Sequence, residues 1–166
     1  MRKVGVGELI LGSQPRPDTA PLGSEWVDVL RGIPLFAGLP KRHVKRIANL
    51  ARPRRFAARS AIVRKGQRGE TFYVILDGEA SLSLPRGRTV GLGAGDFFGE
   101  LALLDGGPRT ATVTAKTPVL TMAIGRRPFL KLVKSDSDLA LGLLKVMAER
   151  LREADDARAS SCWALP

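Results

Sequence analysis

The chain has 166 residues, 44% of them hydrophobic and 26% charged, the make-up of one globular domain long enough to bury a core without staples. Its formal charge of +11 suits an anionic partner: a nucleotide, a nucleic acid or a membrane surface. Cys162 is the only cysteine, which excludes an internal disulfide and fits a reducing, cytoplasmic compartment, and no apolar run approaches the roughly 20 residues that span a bilayer.

Residues 1–24 are rich in turn and breaker residues, among them Pro15, Pro17, Pro21 and Gly23, and read as a flexible arm. The run "VGVGELILGS" is interrupted by Glu8 and is not a secretory signal. The folded domain is expected over residues 25–155, with a tail over 156–166. Ser24 is placed to cap a first helix carrying Trp26, Val29 and Leu30 on one face, stopped by Pro34. A second helix is expected from Pro40 to Ala51. Val44, Ile47, Ala48 and Ala51 recur on one side, with Lys41, Arg42, Lys45 and Arg46 on the other.

Those cations open a basic stretch that continues through Arg52, Arg54, Arg55, Arg59, Arg64, Lys65 and Arg68, with no acid between Asp28 and Glu70. With Phe56 as its one aromatic residue, the stretch lacks a stacking platform and reads as a solvated face rather than a nucleic-acid site.

From Phe56 to Ile124 short β-prone runs appear ("AIV", "TFYVIL", "ASLSL", "TVGL", "ATVTA", "VLTMAI"), separated by glycines. This texture indicates an antiparallel roll, sandwich or barrel. The run holding Phe72, Tyr73, Val74 and Ile75 is apolar on both faces, which marks a central strand. Asp77-Gly78 is a hairpin signal. Gly91, Gly93 and Gly95 read as turns, because no helix with a ribose-binding acid follows. The single histidine, His43, lies on the second helix, away from any other. Metal enzymes of the double-stranded β-helix class need two or more His with a carboxylate, so neither a metal nor catalysis is expected. After Gly125 come a short amphipathic segment, "RRPFLKLVKSD", and a helix from Ser135 to Ala154 capped by Ser135 or Asp136. On the latter, Ala140, Leu144, Met147, Leu151 and Ala154 form a heptad-like seam, which permits a homodimer.

The segment from Phe97 to Ala115, "FFGELALLDGGPRTATVTA", carries the chemistry. Gly99 lets the backbone approach a ligand closely or adopt a positive φ. Glu100 to Leu104 is one helical turn. The first N–H groups, of Glu100, Leu101 and Ala102, have no partner inside it and form an anion site. Arg109 can fold back over the turn with a planar fork that matches two phosphate oxygens. Glu100 beside an anion is wrong for a bare phosphate but right for a ligand that also has a sugar hydroxyl. Each residue also has a plainer use: Arg109 in a surface pair with Asp105, Glu100 as an N-terminal helix charge. Their order and spacing favour an organised site.

"FFGELALLDGGPRTATV" resembles the phosphate-binding cassette of the cyclic nucleotide-binding domain family, of the catabolite activator protein and protein kinase A regulatory subunit type. The upstream "RKGQRGETFYVILDGEASL" and "IPLFAGLP" are similar to further stretches of that family, so the resemblance covers about Trp26 to Leu151. One departure is Arg59, where the family has a turn glycine. The resemblance implies an α+β, mainly β, fold: a jelly-roll-like antiparallel β-roll with helices before it and a C-terminal lid helix. It implies that Arg109 pairs a cyclic phosphate, that Glu100 takes the ribose 2′-OH, and that Gly99, Leu101 and Ala102 complete the cradle.

Thr110 can bond a phosphate oxygen or a guanine amine, Ala111 is small where the chain passes the ligand, and Val90 and Leu92 contact the base. Lid candidates are Leu144, Met147, Arg150 and Leu151, with Trp163 a further aromatic. The ligand implied is cyclic AMP first and cyclic GMP second, in a stand-alone sensor that acts through an effector protein or its own dimerisation. The alternatives are a degenerate roll used for protein docking and a basic-face nucleic-acid binder.

Overall fold

The computed structural model of the chain describes residues 23–162. The arm, up to residue 22, and Trp163 in the tail lie outside the described residues. A 3₁₀ turn, Ser24–Trp26, runs into helix α1 (Val27–Arg31), and α2 follows (Lys41–Leu50). Eight strands come next: β1 (Arg52–Phe56), β2 (Ala61–Val63), β3 (Thr71–Asp77), β4 (Ala80–Ser83), β5 (Thr89–Leu92), β6 (Phe97–Phe98), β7 (Thr112–Ala115) and β8 (Val119–Gly125). Helix α3 (Glu100–Asp105) sits between β6 and β7, and α4 (Arg126–Ser135) and α5 (Ser137–Cys162) close the chain.

The strands form two antiparallel four-stranded sheets, in the orders β1-β8-β3-β6 and β2-β7-β4-β5. This is the mainly β roll with flanking helices that the sequence implied. The first sheet is apolar on both faces because it separates two cores. Phe72, Val74, Leu76, Met122 and Ile124 point at the helices and meet Leu30, Val44, Ile47, Phe129, Leu139 and Leu143. Ile75, Phe98 and Val119 point the other way, into the roll, against Ala80, Leu92, Val113 and Ala115 of the second sheet. Phe72 stacks on Phe129 with ring centroids 4.7 Å apart, tying the roll to α4. Each such fully buried side chain contributes about 1.5–3 kcal/mol relative to exposure.

Several local expectations are corrected. Ser24 makes no side-chain cap; the residue ahead of the opening turn is Gly23 at φ 83°. Helix α1 ends at Arg31, with Gly32 as its C-terminal neighbour, before Pro34 is reached, since the residue preceding a proline already disfavours helix. Asp77-Gly78 does not make a hairpin: β3 and β4 belong to different sheets. Gly78 has φ 86°, and a Cβ there would lie 2.2 Å from the Pro118 carbonyl oxygen, so this corner carries the chain across the roll against the β7–β8 connection. Arg52–Phe56, inside the basic stretch, is an edge strand, the position where a proline such as Pro53 is tolerated. Arg59 does take the left-handed conformation expected of a turn glycine, at φ 66°, and its amide donates to the Ala115 carbonyl at 2.8 Å.

Asp136 fixes the start of α5. Its Oδ1 accepts from the Leu139 amide at 3.1 Å, and its Oδ2 lies 2.5 Å from Nδ1 of His43 on α2. The helix then continues past Ala154 to Cys162. Its inward stripe is Leu139, Leu143 and Val146, not the heptad-like seam: Leu144 is 62% and Leu151 63% exposed. Both stripes have helical spacing, and the inward one is rotated by about one residue. Among the described residues no helix is long and apolar enough to cross a membrane.

Candidate functional site

β6 delivers the chain to Gly99, which stands at φ 90° at the head of α3. A side chain is excluded there: a Cβ would lie 2.3 Å from Arg109 Nη1 and 2.9 Å from the Thr71 carbonyl oxygen. Gly99 turns α3 so that its first amides, of Glu100, Leu101 and Ala102, point out of the helix end without an intrahelical acceptor. Leu101 is 38% exposed, while Ala102 is buried under Gly69. Gly106, at φ 74°, ends the helix.

Arg109 is 7% exposed. Its Nη1 donates to the Gly99 carbonyl at 3.0 Å and its Nη2 to the Thr71 carbonyl at 2.6 Å. Its backbone is held as firmly: the amide donates to Gln67 O at 2.8 Å, and the carbonyl accepts from the Gly66 amide at 2.8 Å. The plainer use of this arginine, a pair with Asp105, does not occur; Asp105 Oδ1 instead accepts from the Gly107 amide at 2.7 Å. Among the described residues Arg109 has no ion-pair partner. Burial lowers its pKa from the usual guanidinium value, while Tyr73, Glu100 and Glu70 act in the opposite direction. An arginine so placed stays charged at neutral pH. It is a buried cation whose hydrogen bonds go to neutral carbonyls, with three of its five N–H donors still to be used.

Glu100 is 3% exposed and is paired from a distance in sequence. Arg150 of α5 donates through Nη1 to Glu100 Oε1 at 2.6 Å and through Nη2 to the Phe97 carbonyl at 2.7 Å. Its guanidinium lies 4.6 Å from the centre of the Phe97 ring, a cation–π contact. Of the four lid candidates, Arg150 reaches the segment, Leu144 and Leu151 face solvent, and Met147 is half-buried. Thr110 is exposed and Ala111 half-buried. Leu92 lies in the inter-sheet core at 8% exposure, and Val90, on the same strand, is 43% exposed.

Three contributors escaped the sequence reading. Gly69 was visible only as a turn glycine, yet a Cβ there would sit 2.4 Å from Ala102 Cβ and 3.0 Å from Arg109 Nε. The glycine pair Gly66 and Gly69 was the available signal. Thr71 acts through its carbonyl, which no residue type advertises. Phe97, the first residue of the segment, also carries Arg150.

The model of the cyclic nucleotide-binding domain matches residues 53–136. The chain belongs to that family. A cyclic nucleotide-gated potassium channel of Rhizobium etli is 36% identical to this cyclic nucleotide-binding domain over 122 residues, covering 74% of this chain and 34% of the channel. The chain thus spans about a third of the length of such curated relatives. Among solved structures, the regulatory domain of Toxoplasma gondii protein kinase A, crystallised with cyclic AMP, superposes with a TM-score of 0.67 at 29% identity, covering 76% of this chain and 49% of that one. The regulatory subunit of a cAMP-independent protein kinase A from Trypanosoma brucei superposes with a TM-score of 0.71 at 26% identity, covering 81% and 48%.

Proposed function

We propose that this domain is a non-catalytic sensor of a purine cyclic nucleotide, cyclic AMP first and cyclic GMP second. The observation that carries the reading is Arg109: a buried, immobilised guanidinium without a carboxylate partner among the described residues. A buried charge without a counter-charge is unfavourable, and a phosphodiester placed between Arg109 and the amides of Glu100, Leu101 and Ala102 supplies one. The fold alone does not choose the ligand, since a relative described as cAMP-independent shares it. The intact pair of Arg109 and Glu100 favours a nucleotide over a protein-docking role.

In this reading Arg109 and the amides hold the cyclic phosphate. Arg150 occupies Oε1 of Glu100, so Oε2 is the acceptor for the ribose 2′-OH. Thr110 lies beside the phosphate or a guanine amine, and Ala111 leaves room for the ligand. Val90 and Leu92 line the base side. Arg150 couples occupancy to α5, because the same carboxylate is bound to the ligand and to the lid helix. The output then passes through α5, whose exposed Leu144 and Leu151 offer a surface to an effector protein or a second copy of the domain. A cytoplasmic setting completes the reading.

Calorimetric titration with cyclic AMP, cyclic GMP and 5′-AMP tests it. Saturable binding of a cyclic nucleotide, with 5′-AMP weaker, is expected. No heat from either cyclic nucleotide would remove the proposal.

A further inference from the structure

We propose that the basic stretch builds a second ligand site, separate from the cassette, which takes a small molecule bearing an anionic group on a flat aromatic ring. The site is a recess of about 310 Å³ on the roll-facing side of the first sheet, at the lower end of the volume range of small-molecule pockets.

Strand alternation puts Arg52, Arg54 and Phe56 of β1 on one face. Their partners on β8 and β3 complete the surface: Arg52 and Tyr73 both lie opposite Ala123, and Thr71 lies opposite Gly125. The small residues at 123 and 125 leave the floor low. Phe56 meets Tyr73 edge-on at 6.0 Å, and Tyr73 stacks on Phe98 at 5.2 Å. The aromatic wall is therefore fixed from behind before any ligand arrives.

The two arginines differ in a way that suits recognition. Arg52 is oriented: its Nη1 donates to the Ala51 and Asn49 carbonyls at 3.2 and 3.3 Å, at the end of α2 where the helix dipole favours a cation. Arg54 is exposed; its carbonyl accepts from Thr121 Oγ1 at 3.3 Å, while its guanidinium has no hydrogen bond or ion pair among the described residues. Among the described residues no carboxylate lines the recess. Glu70, next to Thr71 in the chain, is paired with Arg68 at 2.5 Å. Two cations over an aromatic wall, with no acid among them, match an aryl phosphate or aryl carboxylate, which combines a charge-assisted bond with ring contact. The recess meets the cassette at Thr71, which lines it and whose carbonyl binds Arg109, and at Tyr73, whose ring stacks on Phe98.

A two-dimensional amide NMR titration of the full chain with phenyl phosphate tests the site, with phenol and inorganic phosphate as parallel arms. Saturable shifts at Thr71, Tyr73, Ala123 and Gly125 are expected. Phenol and phosphate should each bind about tenfold more weakly, and Arg54→Glu should weaken phenyl phosphate by about tenfold or more. Because Arg54 is exposed, that variant should keep its fold, which the same spectra report. Shifts confined to the amides of Gly99 to Ala111, equal binding of either half-ligand, or an unchanged Arg54→Glu titration would each overturn the proposal. The readout is resolved by residue, so failure here is distinct from failure of the cassette to bind a cyclic nucleotide.

Discussion

At Arg109 one guanidinium is 7% exposed and is held by two carbonyls, with its own backbone pinned on both sides. Along α2 and β1 the cations Lys41, Arg42, Lys45, Arg46, Arg54 and Arg55 are exposed. The nearest acid to Lys41, Asp28, stands 3.9 Å away with both side chains largely in water. The two regions carry the same sign of charge and differ in what surrounds it. In water each cation is screened and its arrangement is loose. In the cassette desolvation makes one charge specific. The net charge of +11 therefore describes the outer surface, while in the proposed reading recognition of the cyclic phosphate rests on a single buried arginine.

Charge reversal at Arg109 breaks the comparison most severely. Arg109→Glu should lower cyclic nucleotide affinity by more than about a hundredfold, since it replaces two charge-assisted bonds by repulsion. Arg109→Lys keeps the charge and loses the fork; its affinity, measured by the same calorimetry, should lie between the two. Gly99→Ala forces a Cβ against Nη1 of Arg109 and strains a residue at φ 90°. A loss of about 2–4 kcal/mol in urea unfolding is expected.

Arg150→Ala leaves Glu100 buried without its partner. The arginine side chain is 38% exposed, which limits the loss to about 1–2 kcal/mol. Faster amide exchange along α5 should accompany it. At the other extreme, Arg46→Glu on the open face of α2 should change stability by less than about 0.5 kcal/mol and leave nucleotide affinity unaltered at physiological salt. A large effect there would mean that long-range charge, not position, controls the site.

Most of the roll was legible because buried strands must alternate or run apolar, and the runs at Ala61, Thr71, Ala80, Thr89, Thr112 and Val119 do so. β1 was hidden because "RPRRF" has the composition of a loop; only its place at a sheet edge makes Pro53 and three arginines acceptable. Turn chemistry at Asp77-Gly78 specifies a backbone angle but not which strand comes next to which, so the sheet-to-sheet crossing could not be read. Gly99, Glu100 and Arg109 stood out as residue types with a spacing. The carbonyls of Thr71, Gly99 and Phe97 that position the two arginines are backbone groups, and only the fold brings them together. Arg150 is 50 residues from Glu100. It stands among the lid candidates, but no local pattern pairs it with Glu100.

The central claim, that Arg109 is the counter-charge of a ring-closed phosphate, is tested most directly by a crystal structure of the chain with cyclic AMP. The expected result is a phosphate oxygen within hydrogen-bond distance of the Arg109 guanidinium and of the Leu101 or Ala102 amide, with the ribose hydroxyl on Glu100. A nucleotide bound instead on the exposed arginines of α2 or β1, with the Arg109 guanidinium making no bond to it, would contradict the account.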